Sequence, residues 1–185
     1  RAVATGRRVF NEGTWSRSAP EYRKEVLLKL AALVEHHKDE LAVLESMDAG
    51  KTITDCLHEV GTEAPAFFRW YAELADKTFG KIAPTGDDAM ALIVKEPAGV
   101  AGAILPWNFP FWMPFKSMIP PFVLGNPILM KHAPSTPLSA QAIEQMFIDA
   151  GFDDGEYQNL YITNEQAEKV ISDKRVRGVK FTGST

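Results

Sequence analysis

Only one cysteine, Cys56, occurs among 185 residues, which rules out a disulfide within the chain and a cysteine-built zinc site. That usage accords with a reducing compartment, the cytoplasm by default. Long apolar runs are missing too. The 98–105 stretch falls far short of the roughly 20 residues that span a bilayer, and no basic segment leads into an apolar one as in a secretory leader, so no membrane partner is expected. Clustered positive charge is equally absent. The formal net charge is -4 and no Lys/Arg group sits among stacking aromatics, which argues against nucleic acid as a partner. His36, His37 and His58 lie on expected helices without the spacing of metal ligands, so no metal is expected.

Two nucleotide-binding signatures are incomplete. Gly50, Lys51 and Thr52 spell the end of a P-loop, but Glu45 stands where the leading glycine belongs and would repel phosphate. The segment also follows a helix rather than a strand. It reads as a helix C-terminus with Gly50 as left-handed cap and Lys51 as a solvated cation near the helix dipole. A GxGxxG fingerprint is absent, since Gly99 and Gly102 lie inside an apparent strand rather than at its exit.

What is present is 45% apolar residue content and enough length to bury the core of one ordinary domain. Residues 18–79 read as helical. Ser18 and Glu21 match a capping box, and Val26, Leu30, Leu33, Val34, Leu41 and Leu44 keep helical spacing. A second periodic segment carries Val60, Ala64, Phe67, Phe68, Tyr71, Leu74 and Ala75, with Pro65 marking a kink or a first turn. Residues 80–97 read as a projecting hairpin with its turn at Gly86 and Asp87, suited to pairing with another chain or domain.

From residue 98 strands and helices alternate. Strands are expected at 99–105, 127–131, 159–162 and 178–182. Helices are expected at 111–124, at 137–150 behind Thr136 as cap, and after Thr163 with Gln166 as capping-box partner. Four strands separated by three helices imply a parallel sheet wrapped by right-handed crossovers, an α/β fold. A start at Arg1 without methionine and a stop at Thr185 directly after a strand read as a fragment.

Within this frame the Pro106–Pro110 segment, PWNFP, is the most informative. Two prolines restrict the backbone around Asn108, and a preorganised amide donor is what stabilisation of an oxyanion requires. Lys131 ends the second parallel strand, where ligands of open α/β sheets collect. His132 reads as a packing or ribose-side residue, having no nucleophile with an orienting carboxylate beside it. Gly183, Ser184 and Thr185 follow a strand end and could bind phosphate as the next helix opens.

In order and spacing, ILPWNFP, LMKHAP, STPLSA and FTGST resemble the aldehyde dehydrogenase superfamily, and ESMDAGK and RWYAELADK are similar to its N-terminal helices. The resemblance covers essentially the whole chain. The later half is most similar to succinate-semialdehyde dehydrogenases, the earlier half at least as similar to those acting on amino-aldehydes. It implies N-terminal helices over 1–79, an oligomerisation hairpin over 80–97, and a partial Rossmann-like dinucleotide-binding sheet over 98–185, with the catalytic domain absent. It further implies NAD or NADP as cofactor, a small aldehyde as substrate and a homo-oligomer as the complete protein.

Carried over, Asn108 would donate its amide to the oxyanion of a cysteine thiohemiacetal, and losing such a donor costs about 100- to 1000-fold in rate. Leu105, Pro106 and Trp107 would line the nicotinamide side, and Lys131, His132 and Pro134 the adenosine ribose. Gly183 and Ser184 would receive the pyrophosphate. Lys116, Phe109 and Met113 would face the substrate. Pro134 departs from the Glu or Ser that many members place there, which leaves NAD against NADP open. Lys116 stands about 12 Å along a helix from Asn108, where semialdehyde-specific relatives carry arginine. A lysine there grips a carboxylate without the bidentate fork; its other reading is a solvated helix lysine. The family's nucleophilic cysteine and glutamate base belong beyond FTGST, and Cys56 lacks the family's surrounding residues. The chain alone is therefore expected to be inactive. The competing reading is a truncated, non-catalytic nucleotide-binding or oligomer-forming module.

Overall fold

A computed structural model describes residues 1–184. In chain order it contains α1 (Ala2–Glu12), α2 (Pro20–His36), α3 (Lys38–Ala49), α4 (Ile53–His58), a π turn (Glu59–Glu63) and α5 (Ala64–Leu74). Next come β1 (Lys81–Ala83), β2 (Ala91–Ile93), β3 (Val100–Ile104), α6 (Trp112–Val123) and β4 (Ile128–Lys131). The chain continues through α7 (Pro137–Ala150), β5 (Tyr157–Asn159), α8 (Asn164–Ile171) and β6 (Val176–Phe181).

The alternation expected after residue 98 forms one parallel sheet of order β5-β4-β3-β6. Two apolar layers cover its faces. Helices α2, α5, α6 and α7 contribute Leu27, Leu30, Phe68, Phe115, Met118, Ile119, Phe122, Ile143 and Phe147 to the larger core. Val3 of α1 meets Val100 and Leu129 on the other face, with Val170 of α8 packed against them. The sheet is thus sandwiched, as parallel strands require.

Helix α6 shows how sequence dictates this packing. Pro120 and Pro121 lack the N–H groups that would bond one turn back, yet their rings are tolerated because the helix end is tied from outside. Trp15 Nε1 donates to Phe122 O at 2.7 Å, Arg23 Nε to Val123 O at 3.1 Å, and Asn126 Nδ2 to Pro121 O at 2.8 Å. The carbonyls that a helix C-terminus leaves free are therefore satisfied within the protein.

Several local expectations are corrected. Ser18 forms no capping box: Pro20 opens α2 behind Ala19, and Ser18 Oγ donates to Trp15 O instead. Proline at the first helical position needs no cap for its absent N–H. The long helical region divides into α2, α3, α4, the π turn and α5, with Pro65 in the first turn of α5. Strand β5 lies at Tyr157–Asn159 rather than 159–162, because Ile128 N bonds Glu156 O and sets the register earlier. Thr136 occupies the N-cap of α7, but its hydroxyl donates to Ala133 O. The cap is supplied by Asp48, whose Oδ2 accepts from Ser139 N at 2.7 Å and Ser139 Oγ at 2.8 Å. Gly50 at φ 68° caps α3 as expected, and Thr163 with Gln166 forms the capping box of α8.

Because Asp48 joins two helices 91 residues apart in sequence, its removal is felt beyond α3. Asp48→Ala should lower stability by about 1 to 2 kcal/mol, the cost of a lost cap bonded by charge. For a chain this long that is a fall of about 2 to 8 °C in Tm. Thermal denaturation followed by circular dichroism checks it; an unchanged Tm would assign the cap no weight.

Candidate functional site

All four parallel strands end on one side. Ile104, Lys131, Asn159 and Phe181 mark that edge, laced by Leu105 N to Lys131 O, Leu160 N to Met130 O and Thr182 N to Ile104 O. From β3 the chain moves to β4 and β5 on one side, then returns to β6 on the other, so the strand order reverses between β3 and β6. A crevice opens outside the strand ends at such a switch point, where open α/β sheets bind ligands.

The turn that leaves β3 carries the Asn108 carboxamide. Leu105 is buried, Pro106 partly so, and Trp107 and Asn108 are exposed. Phe109 is half-buried and its carbonyl accepts from Met113 N at 3.1 Å, tying the turn to α6. Met113 packs against the main core. Lys116 is exposed and lines a recess of about 310 Å³ with Ser117, Pro120 and Lys180. Ser117 Oγ is buried with no hydrogen-bond partner among the described residues. Burial and, secondarily, Lys116 push the Lys180 ammonium pKa down, so the two cations share one region.

Past β4 lies a larger cavity of about 530 Å³, between the end of that strand and the start of α8. His132, Pro134, Pro137, Asn159, Ile162 and Gln166 are among its walls. Lys131 is 5% exposed, tucked toward Leu160 and Ala167 rather than solvated. His132 bonds the Tyr157 hydroxyl at 3.4 Å. Burial first, and Lys131 besides, push its imidazole down to about 4 against a bond to Asn159 that raises it. The ring is thus neutral at pH 7 and stands in the cavity wall. Gly183 and Ser184 lie exposed after β6; Thr185, the remaining member of the expected phosphate turn, lies outside the described residues.

One expectation fails outright. Lys51 is not a solvated cation: its side chain is 17% exposed and pairs with Glu45 at 3.3 Å and with Glu59. Its Nζ also sits 4.3 Å from the centroid of the Phe109 ring. Neither Glu45 nor Glu59 was expected to matter. The sequence signal was an acidic residue at position 45 on the apolar face that buries Leu41 and Ala42. Burial is the main cause that raises the Glu45 carboxyl from 4.5 to about 7; Glu59 adds to it and Lys51 opposes it.

Cys56 on α4 is fully buried, and burial with Glu45 nearby pushes its thiol up to about 11. A thiol so disfavoured as thiolate is a poor nucleophile at neutral pH. Among the described residues no group of His, Cys, Asp and Glu is arranged to hold a metal, and no helix is long and apolar enough to cross a membrane.

Comparison with known proteins identifies a family for the whole chain. Residues 1–185 match the model of the Aldehyde dehydrogenase family. Aminoacetaldehyde dehydrogenase of Pseudomonas aeruginosa is 41% identical over 185 residues, covering 100% of this chain and 37% of its own length. Indole-3-acetaldehyde dehydrogenase of P. syringae, solved with NAD+, superposes with a TM-score of 0.94 at 37% identity over 100% of this chain and 37% of its own. Succinic semialdehyde dehydrogenase from Streptococcus pyogenes, solved with NADP+, gives 0.90 at 33% identity over 99% of this chain and 40% of its own. The chain thus spans well under half the length of these relatives.

The Glu45 carboxyl gives the site a measurable pH signature. Its native pKa of about 7 lies above the ordinary 4.5, so the folded chain holds this proton more tightly than the unfolded one. The sign follows: stability contributed by Glu45 is full below pH 4.5 and is lost as pH rises through about 7. Glu45→Gln, fixed in a neutral form, should flatten that fall. Denaturant midpoints across this window check it; parallel curves for the two proteins would exclude a titrating Glu45.

Proposed function

The chain belongs to the aldehyde dehydrogenase family, and from that premise we propose that it supplies the oxyanion donor and the adenosine side of the cofactor cleft in an NAD(P)-dependent oxidation of a semialdehyde. The observation that carries this reading is the placement of Asn108. Its carboxamide is exposed on a proline-bracketed turn at the sheet's switch point, on the same strand-end side as the 530 Å³ cavity.

The cavity fits a nucleoside. Its volume lies in the range of about 300 to 1,000 Å³ typical of small-molecule sites. Pro134, Pro137, Ala140 and Ile162 give apolar walls for a base, while Asn159, Thr163 and Gln166 offer polar groups at its rim. When bound, the nicotinamide group would accept hydride from the substrate carbon. The chain's own residues hold and orient. Leu105, Pro106 and Trp107 border the nicotinamide end, and Lys131, His132 and Pro134 the ribose end. Gly183 and Ser184 stand at the pyrophosphate. Asn108 donates to the carbonyl oxygen as it gains charge after attack by a cysteine supplied from outside these residues. Phe109 and Met113 flank the aldehyde.

A semialdehyde suits the recess beside α6. Burial, and Lys116 besides, lower the pKa of the Lys180 ammonium there, and a distal carboxylate between the two side chains would relieve that repulsion. The family's aminoaldehyde members remain the second reading, favoured by the 41% identity to the aminoacetaldehyde enzyme. Cytoplasmic residence accords with the single buried cysteine.

Chemical-shift mapping on the purified chain tests the cofactor assignment. NAD+ should move the amides of Ala133 and of Tyr161 through Gln166, and Pro134→Glu should tighten NAD+ while weakening NADP+ by about tenfold, or 1.4 kcal/mol. Shifts confined to other surfaces would sink the assignment. Added succinate semialdehyde should yield no reduced cofactor, because Cys56 is buried and protonated; turnover would refute that claim.

The hairpin of β1 and β2 supports homo-oligomer formation. Ile82, Leu92, Ile93 and Val94 are each more than half exposed on an isolated two-stranded ribbon, which is marginal unless something covers it. Leu92→Lys should shift the chain toward monomer in size-exclusion chromatography with light scattering. A wild-type chain already monomeric at all concentrations would remove this role.

A further inference from the structure

The buried cluster of Lys51, Glu45 and Glu59 lies away from the cofactor cavity yet touches the turn that bears Asn108. Its solvent exclusion is unusual for charged groups: side-chain exposures are 17%, 0% and 13%. Glu45 Oε2 is buried with no hydrogen-bond partner among the described residues. Glu59 opens the π turn between α4 and α5, and such turns inside helices recur at functional sites. Here the wider turn leaves Glu59 facing Lys51, as its bond to Lys51 Nζ records.

The turn itself has limited restraint. Proline fixes Pro106 and Pro110 and narrows the conformations of Leu105 and Phe109, but Trp107 and Asn108 between them are exposed. Phe109, half-buried, is the side chain through which that pair is moored, and its ring lies against the Lys51 ammonium at 4.3 Å. A cation within about 6 Å of a ring centroid attracts the ring, more strongly when both are shielded from water.

We propose that Lys51 is a positioning residue for the Asn108 site: clamped by Glu45 and Glu59, its ammonium holds the Phe109 ring and thereby fixes the direction of the preceding carboxamide. This rests on the reading of Asn108 as the oxyanion donor. Two carboxylates sharing one cation leave a surplus negative charge, and a proton on Glu45 removes it. The ionisable groups acting on Glu45 are Lys51 and Glu59 of the π turn, and Glu45 in turn raises the Cys56 thiol of α4. The other elements packed on α3 add none: α7 meets it through Ser139 and Asp48, and α2 contributes no charge to that carboxyl. Protonation of Glu45 therefore reaches the turn through Lys51.

Nuclear magnetic resonance on the whole chain tests this without requiring activity. Lys51→Met keeps an unbranched side chain one atom shorter and removes its charge. Order parameters of the Trp107 to Phe109 amides should fall from about 0.85 to below about 0.6, with the Asn108 side-chain amide broadened, while Thr163 to Ala167 stay unchanged. Lys51→Arg should restore order. A folded Lys51→Met chain whose turn keeps wild-type order overturns the proposal. If that variant does not fold, the wild type decides. Turn amides that shift across neutral pH, and cease to shift in Glu45→Gln, support it, whereas turn amides unmoved by pH overturn it. Because cofactor-induced shifts report on the separate cavity by α8, failure here and failure of the proposed function are told apart.

Discussion

Right-handed crossovers return each parallel strand with the same polarity, so the C-terminal ends of all four strands, where open α/β sheets bind ligands, stand at one edge of the sheet. The alignment of Ile104, Lys131, Asn159 and Phe181 is the consequence. Reversal of strand order between β3 and β6 then separates two loops that would otherwise be packed together. One carries Asn108 and the other Gly183 with Ser184. The rigid edge has to be held against a layer of helices, and α6 does so through four fully buried apolar side chains, Phe115, Met118, Ile119 and Phe122. Its two internal prolines would leave that helix end weak, were it not bonded by Trp15, Arg23 and Asn126. The site is thus only as firm as contacts made by residues about 100 positions earlier in the chain.

Two buried titrating groups pull the chain's acid response in opposite directions. Glu45 is raised by burial, so its contribution to stability is lost on going from acid toward pH 7. His132 is lowered by burial from 6.5 to about 4, so the unfolded chain binds its proton more readily and stability falls as pH drops through that window. Between pH 4.5 and 6.5 both act, with opposite sign. A flat stability profile there would conceal two titrations rather than reveal none. The two groups also lie in different places, one beside the Asn108 turn and one in the wall of the 530 Å³ cavity.

What was legible in the sequence is what short-range chemistry encodes. Gly50 and the pair Thr163 and Gln166 announce helix ends because each acts within four residues. Alternation of strand and helix after residue 98 announces the parallel sheet. The cap of α7 was not legible, since Asp48 comes from 91 residues away and nothing near Thr136 reports it. The role of Lys51 was hidden by a local resemblance: after a helix-ending glycine, a lysine near a helix dipole is the common case. Only the π turn, which swings Glu59 toward it, makes the ion pair. Periodicity marks helix only from residue 18, because Gly6 and the polar run around Arg7 and Arg8 weaken the pattern of α1, which the family resemblance alone implies; its Val3 and Val9 are buried by the tertiary fold.

Restriction of the backbone alone is insufficient at Asn108. Proline limits φ, but an amide donor must also hold its side-chain direction, because a donor aimed elsewhere must reorganise as charge develops and loses the advantage of preorganisation. Rigid aim requires an anchor beside the donor, and an aromatic ring is suited to it, having few rotatable bonds and a face that attracts cations. Placing the cation in a dry cluster strengthens that attraction, since water no longer competes for the ammonium. It also makes the cluster's charge balance matter, because a carboxylate with an unpaired oxygen cannot remain ionised there without cost. Glu45 is the point where that cost is relieved by a proton, which couples the aim of a neutral amide to the pH of the solvent.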